Sequence, residues 1–152
     1  MAPYLGHCLC GAVAYRLTEE PLTFYACHCT DCQRRTGAAF ALSMIVRRAA
    51  LELTRGEPGT YEARLADGRR KAGRLCTACG TRLWGDPRDP EIAVVQAGTL
   101  EQPCGLEPVA HIWTRSAQPW IAWPDGAVKY ETQPSRPGEL ARLWRERGAR
   151  GG

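Results

Sequence analysis

The chain has 152 residues, which favours one domain with a core of its own; a chain of this size buries roughly 68–70% of its unfolded surface, so metal is not needed to offset small size. Its formal charge is +4 and it carries eight cysteines, whose ionisation would lower that charge further. No run approaches the ~18 apolar residues of a membrane span, and Met1 to Gly11 shows neither a basic n-region nor an apolar h-region. The expectation is therefore a cytoplasmic protein, in which clustered cysteines read as metal ligands rather than disulfides.

In chain order, Gly6-His7-Cys8-Leu9-Cys10-Gly11 comes first. Two cysteines two apart on an extended backbone point to one face, and Gly11 permits a tight turn after them. Val13, Tyr15 and Leu17 alternate with Ala14 and Arg16, a strand pattern that Pro21 interrupts. Leu22 to Ala26 reads as a second strand leading into Cys27-His28-Cys29-Thr30-Asp31-Cys32. Residues 33–37 then read as a helical turn ended by Gly37 and capped by Thr30 or Asp31. A helix start beside these sulfurs would favour thiolate.

Ala39 to Val46 is a buried strand by its apolar run, and Leu51 to Thr54 a short alternating one. Glu57-Pro58-Gly59 turns the chain, Tyr61 to Ala63 resumes the sheet, and Asp67-Gly68 is a hairpin-turn candidate inside an arginine-rich stretch over 64–74. Cys76-Thr77-Ala78-Cys79-Gly80 is a C-x-x-C-G knuckle, followed by Leu83 and Trp84. Ile92 to Val95 is a buried strand closed by Gly98; Val109 to Thr114 is another, carrying His111 and Trp113. Trp120, Ile121 and Trp123 suggest an aromatic cluster before the Pro124-Asp125-Gly126 turn. After a linker with two prolines, Pro137 opens a helix with one apolar stripe, Leu140, Leu143 and Trp144, and with Arg142, Arg145 and Arg147 facing water. No 20–50-residue repeat is present. The pattern is mostly β, with residues 1–130 as the domain and 131–152 as linker and helical tail.

Seven cysteines fall in three groups: 8/10, 27/29/32 and 76/79. A structural zinc takes four closed ligands, whereas a catalytic zinc takes three and keeps one position open. Cys8, Cys10, Cys76 and Cys79 make a closed set, which leaves Cys27, Cys29 and Cys32 as an open one. With two zinc ions and seven thiolates, seven negative and four positive charges bring the formal +4 to +1, which weakens the case for a nucleic-acid partner. Disulfide pairing stands as one alternative. A fourth ligand to the trio from His28, Asp31, Cys104 or His111 stands as another. Cys104 otherwise reads as a lone thiol, His111 as a core histidine and His7 as a residue beside a ligand or at the surface.

Taken together, Gly6-x-Cys8-x-Cys10-Gly11, Cys27-His28-Cys29-x-x-Cys32, Cys76-x-x-Cys79-Gly80, Ala97-Gly98-Thr99-Leu100 and Pro108-x-x-His111-Ile112, with Trp120, resemble the glutathione-dependent formaldehyde-activating (GFA) family, also called the CENP-V/GFA domain. The resemblance implies an Mss4-like antiparallel β-fold with two zinc sites. It assigns Cys8, Cys10, Cys76 and Cys79 to structural zinc, and Cys27, Cys29 and Cys32 to catalytic zinc. It also implies carbon–sulfur lyase chemistry, the joining of formaldehyde to glutathione.

On that reading the metal holds the thiol as thiolate for attack on an aldehyde. His28 or His111 supplies a proton, and Arg34, Arg35 and Arg115 receive the carboxylates of a glutathione-like substrate. The competing class is a non-enzymatic zinc-stabilised binding module. Its surface would be Arg64, Arg69, Arg70, Lys71 and Arg74 or the basic terminal helix.

Overall fold

The computed structural model describes residues 2–102 and 105–150. The strands are β1 (Tyr4–His7), β2 (Ala14–Leu17), β3 (Thr23–Cys27), β4 (Ala41–Arg47), β5 (Leu51–Arg55), β6 (Gly59–Arg64), β7 (Arg70–Leu75), β8 (Arg82–Gly85), β9 (Ile92–Gln96), β10 (His111–Ile112) and β11 (Lys129–Tyr130). The helices are α1 (Thr30–Thr36) and α2 (Glu139–Arg150), with three single turns of 3-10 helix between strands. The chain divides into two compact units, Met1–Pro21 with Met44–Gly105, and Leu22–Ser43 with Leu106–Gly152. No helix among the described residues is long and apolar enough to cross a membrane.

In the first unit β1, β2 and β5 lie side by side, antiparallel, in that order. β6, β7, β8 and β9 follow one another antiparallel. The β6–β7 hairpin turns where the sequence predicts: the Gly68 N–H donates to Leu65 O, and Gly68 takes φ 82, which its lack of a Cβ allows. Tyr15 is buried and meets Trp84 edge-on, with ring centroids 5.9 Å apart. The arginine-rich stretch is largely neutralised in place. Arg70 pairs with Glu62, Arg69 with Asp67, and Arg48 and Arg74 share Asp86. That pairing offsets Arg69, Arg70 and Arg74, three of the five basic residues that a binding module would present on this stretch.

β1 and β7 have no clear signature in the sequence. Tyr4-Leu5-Gly6-His7 is too short and mixed to alternate visibly, and Arg70 to Leu75 carries three basic residues in six. Both are strands because their neighbours supply the backbone partners.

The second unit is built around β3. β10 runs parallel to β3, with His111 opposite Ala26 and Ile112 opposite Cys27, and parallel to β11. These pairings depart from the antiparallel expectation, because the chain reaches β10 from a distant segment rather than through a hairpin. The strand expected over 109–114 is cut to two residues, since Trp113 adopts a left-handed φ of 59 and starts a turn.

α2 begins at Glu139, two residues after Pro137, and packs its apolar stripe on β3. Leu140 is buried, Phe24 meets Trp144 edge-on, and the Thr23 hydroxyl donates to Leu140 O at 2.9 Å. Its arginines do not simply face water: Arg142 joins Glu139 and Glu146, and Arg147 joins Glu107. β4 crosses the division between the units and is largely buried, as its apolar run predicts.

Candidate metal centre and active site

The first cysteine cluster lies wholly in the first unit. Cys8 and Cys10 sit in the turn after β1, where Gly11 at φ 74 donates to Cys8 O; Cys76 and Cys79 sit in the knuckle between β7 and β8, where Gly80 at φ 76 donates to Cys76 O. All four sulfurs lie within 4.8 Å of one another. The Cys8–Cys10 separation is 3.6 Å and the Cys10–Cys76 separation 3.8 Å. A tetrahedron of sulfurs around zinc at ~2.3 Å has edges of about 3.8 Å, so the spacing fits that ion. A disulfide needs ~2.05 Å.

Donors also point at these sulfurs. The Val13 N–H lies 3.3 Å from Cys8 Sγ, and the Thr81 hydroxyl lies 3.2 Å from Cys79 Sγ. The Thr81 hydroxyl, then its N–H, pulls the Cys79 thiol down to about 5. His7 is exposed, and its Nδ1 lies 2.7 Å from Cys8 O.

The second cluster lies wholly in the second unit. Cys27 ends β3, Cys29 caps α1 and Cys32 lies in its first turn; their sulfurs are within 4.8 Å of one another. The cap is not Thr30 or Asp31. Cys29 Sγ itself accepts the Cys32 N–H at 3.3 Å, because a ligand turning into the helix occupies the position a serine or aspartate would take. Gly37 closes α1 in the left-handed conformation, as expected.

Arg35 Nη2 lies 3.8 Å from Cys32 Sγ. Hydrogen bonds from Cys29 and Cys32, then burial, push the Cys27 thiol far up. Three crowded sulfurs share protons, and a bound cation is what would let all three ionise. Among the described residues all seven cysteines are free. No His nitrogen or carboxylate oxygen of those residues joins the trio, so His28, Asp31 and His111 do not close it; Cys104 lies outside the described residues.

His28 is completely buried. Its Nε2 lies 3.0 Å from His111 Nδ1, and the ring is packed among Phe40, His111 and Trp123. Burial, then the neighbouring His111, pulls His28 down to about 4, so both rings are neutral at pH 7. Among the described residues, His28 Nδ1 has no hydrogen-bond partner.

The His28 main chain is fastened more firmly. Its carbonyl accepts from Gln33 Nε2 at 2.8 Å and from the Ser116 hydroxyl at 3.0 Å. Gln33 also donates to Ser116 O at 2.8 Å and accepts from Gln118 at 2.7 Å. This clamp ties α1 to the turn at 114–118. Nothing in the sequence marks Gln33 beyond its place next to Cys32.

Alternation along β3 sends Tyr25 to the same face as Cys27. Tyr25 packs against the buried group of Cys27, Ala110, Ile112 and Leu140. Period-two counting back from Cys27 is the signal that finds it.

Arg34 and Arg115 are exposed, and the Arg115 guanidinium lies 4.9 Å over the Trp113 ring. The expected cluster of Trp120, Ile121 and Trp123 divides: Trp123 joins the histidines, while Trp120 is 70% exposed. A groove of about 430 Å³ opens beside His111 and α2, and none of the three cysteines lines it.

Against known proteins, the family model described as "Glutathione-dependent formaldehyde-activating enzyme" matches residues 3–116. A search of curated proteins gave no match. Among solved structures, the crystal structure of a Rhodobacter sphaeroides protein, a structural genomics target, is similar with a TM-score of 0.52 and 24% identity, over 83% of this chain and 98% of that one. At that identity the likeness speaks to fold alone. The mostly β architecture with two cysteine clusters is Mss4-like.

Proposed function

Because the chain belongs to the glutathione-dependent formaldehyde-activating enzyme family, we propose that it is a zinc-dependent carbon–sulfur lyase that adds a glutathione-like thiol to formaldehyde or a related small aldehyde. One observation carries this reading. Cys27, Cys29 and Cys32 bring three sulfurs together with no fourth donor from the described residues, whereas Cys8, Cys10, Cys76 and Cys79 bring four. The four-sulfur set is assigned to structural zinc and the trio to catalytic zinc. A zinc ion held by the trio would bind an incoming thiol and favour its deprotonated form.

The chain's own residues would do the rest. The Cys32 N–H holds the Cys29 sulfur at the start of α1. His28 belongs to the site through its position between two ligands: Gln33 and Ser116 fix its carbonyl, and His111 fixes its ring. Arg35 adds positive charge beside Cys32, which favours a thiol that carries carboxylates. In the reaction the thiol sulfur forms a bond to the carbonyl carbon, the carbonyl π pair moves to oxygen, and the proton lost by sulfur ends on that oxygen. No oxidant or reductant is consumed. Free thiols at both clusters suit a reducing compartment, so a cytoplasmic location is part of the proposal.

Replacement of Cys29 by serine tests the reading. Wild-type protein is expected to hold two zinc ions and to bind glutathione. Cys29→Ser is expected to keep its circular dichroism and one zinc while losing thiol binding. If the variant unfolds, the trio is structural and the lyase reading is wrong.

A further inference from the structure

Cys29-Thr30-Asp31-Cys32 is a C-x-x-C sequence; Cys29 caps α1 and Cys32 lies in its first turn. Sulfurs at this spacing can follow two chemistries. As thiolates they hold a metal, and as a dithiol they exchange with disulfides. The lyase reading uses the first and leaves the second unassigned.

Three observations favour exchange by this pair. The sulfurs of Cys27, Cys29 and Cys32 lie within 4.8 Å of one another, and none is bonded to another. Rotation of two side chains is what carries such neighbours to the ~2.05 Å of a bond. Access then divides the trio. Cys27 is only 6% exposed at the end of β3, whereas Cys29 and Cys32 are both half-buried and can meet a solute. Finally, Arg35 Nη2 lies 3.8 Å from Cys32 Sγ, so positive charge stands beside the accessible pair. A disulfide that carries carboxylates would be drawn to it.

We propose that Cys29 and Cys32 form a redox dithiol whose substrate is a small disulfide bearing carboxylates. This goes beyond the lyase reading and does not depend on it. One sulfur of the pair, as thiolate, attacks a sulfur of the substrate; a mixed disulfide forms, and the first thiol leaves with a proton. The other sulfur then attacks the mixed disulfide and releases the second thiol. Two electrons pass from the two cysteines to the substrate, and a Cys29–Cys32 bond remains. Sulfurs in that bond are no longer thiolate ligands, so exchange and metal binding exclude each other at the trio.

The test uses the zinc-loaded full chain, with glutathione disulfide as the probe. Each chain is expected to release one zinc and two glutathione thiols, and peptide mapping is expected to place the new bond between Cys29 and Cys32. Cys29→Ser and Cys32→Ser should each stop at a mixed disulfide, with one glutathione on the remaining member of the pair. Cystamine, a cationic disulfide, is expected to react about tenfold more slowly than glutathione disulfide. Arg35→Gln should remove most of that difference.

A bond mapped to Cys27 or to the four-sulfur set overturns the proposal. So do thiols that stay free in excess disulfide after a chelator has taken the more labile zinc, and so do equal rates with the two probes. The bond is mapped in wild-type protein, so a variant that fails to fold leaves the test intact. A chain that closes the Cys29–Cys32 bond yet adds no thiol to any small aldehyde refutes the lyase reading alone. One that makes the adduct but never closes the bond refutes this proposal alone.

Discussion

His28 Nε2 and His111 Nδ1 face each other at 3.0 Å, and one proton lies between them. The partner shares a register position beside the ligand strand: His111 stands opposite Ala26, one residue before Cys27. The pair therefore links β10 to the sulfur-bearing end of β3 through side chains as well as backbone. Burial disfavours charge on either ring and so requires both to stay neutral.

That requirement gives a pH dependence. Burial, then His111, holds His28 at about 4 in the folded chain, against ~6.5 for an exposed histidine. Between those values the unfolded chain binds more protons than the folded one, so stability falls as pH falls from about 6.5 and levels off below about 4. The loss from this group is at most about 3 kcal/mol. Denaturant melts of wild type and His28→Gln at pH 7.5 and pH 5 check it. The variant is expected to start less stable and to lose less over that interval; an equal loss in both would mean that His28 is not the group responsible.

Gln33 is the hub of a clamp rather than a ligand, and its loss should be felt at the metal. Gln33→Leu keeps the volume and removes donors to His28 O and Ser116 O together with the acceptor for Gln118. Stability should fall by about 1–3 kcal/mol. Zinc affinity at the trio should fall about tenfold, as for other residues that orient ligands. Competition with a chelator, following the more labile of two metals, gives the second number. Unchanged zinc retention with reduced stability would confine Gln33 to packing.

Much of this site was legible in the sequence, because ligand chemistry restricts both residue type and spacing. The partition of sulfurs into four and three came from counting donors, and the structure groups the same residues. The strands with regular alternation or an apolar run, such as those at 14–17, 41–47 and 92–96, also stood out. What stayed hidden depends on distant partners. β7 is a strand because β6 and β8 flank it, and β10 is short because Trp113 reverses the chain. Gln33, Ser116 and Gln118 meet across more than eighty residues, and no local pattern reports such a meeting. The cap of α1 was misplaced for a related reason: sulfur is not among the usual capping atoms, and only the geometry of Cys29 reveals that it takes that role.

Gly6 tests the packing of the first unit. A Cβ built there would lie 2.4 Å from Tyr15 Cζ, and Tyr15 cannot swing aside. It is buried, its ring abuts Trp84, and its hydroxyl lies 2.6 Å from Thr99 Oγ1. Gly6→Ala should cost about 1–3 kcal/mol through overpacking. The loss should show as a lower denaturant midpoint with an unchanged slope. A double variant with Tyr15→Leu should recover part of the Gly6→Ala loss when each is compared with its own parent, since the obstructing ring is gone. Additive effects would place the strain elsewhere.

The two cysteine clusters should differ sharply in what their loss does. Cys76 is buried and shares its knuckle with Cys79, while Cys8 and Cys10 come from the turn after β1, so a metal there would tie β1 and the β7–β8 turn into one body. Metal binding to a set absent from the unfolded chain is folding free energy, so removing one ligand should destabilise the whole first unit. Cys76→Ser is expected to bring the thermal midpoint down by more than 10 °C or to abolish cooperative unfolding, whereas Cys32→Ser should shift it by only a few degrees. Metal analysis should separate the two in the same way: Cys76→Ser protein recovered from the insoluble fraction, Cys32→Ser soluble with one tightly held zinc. If instead Cys76→Ser stays folded with one zinc and binds glutathione normally, the four-sulfur set is dispensable, and the division of labour between the clusters must be redrawn.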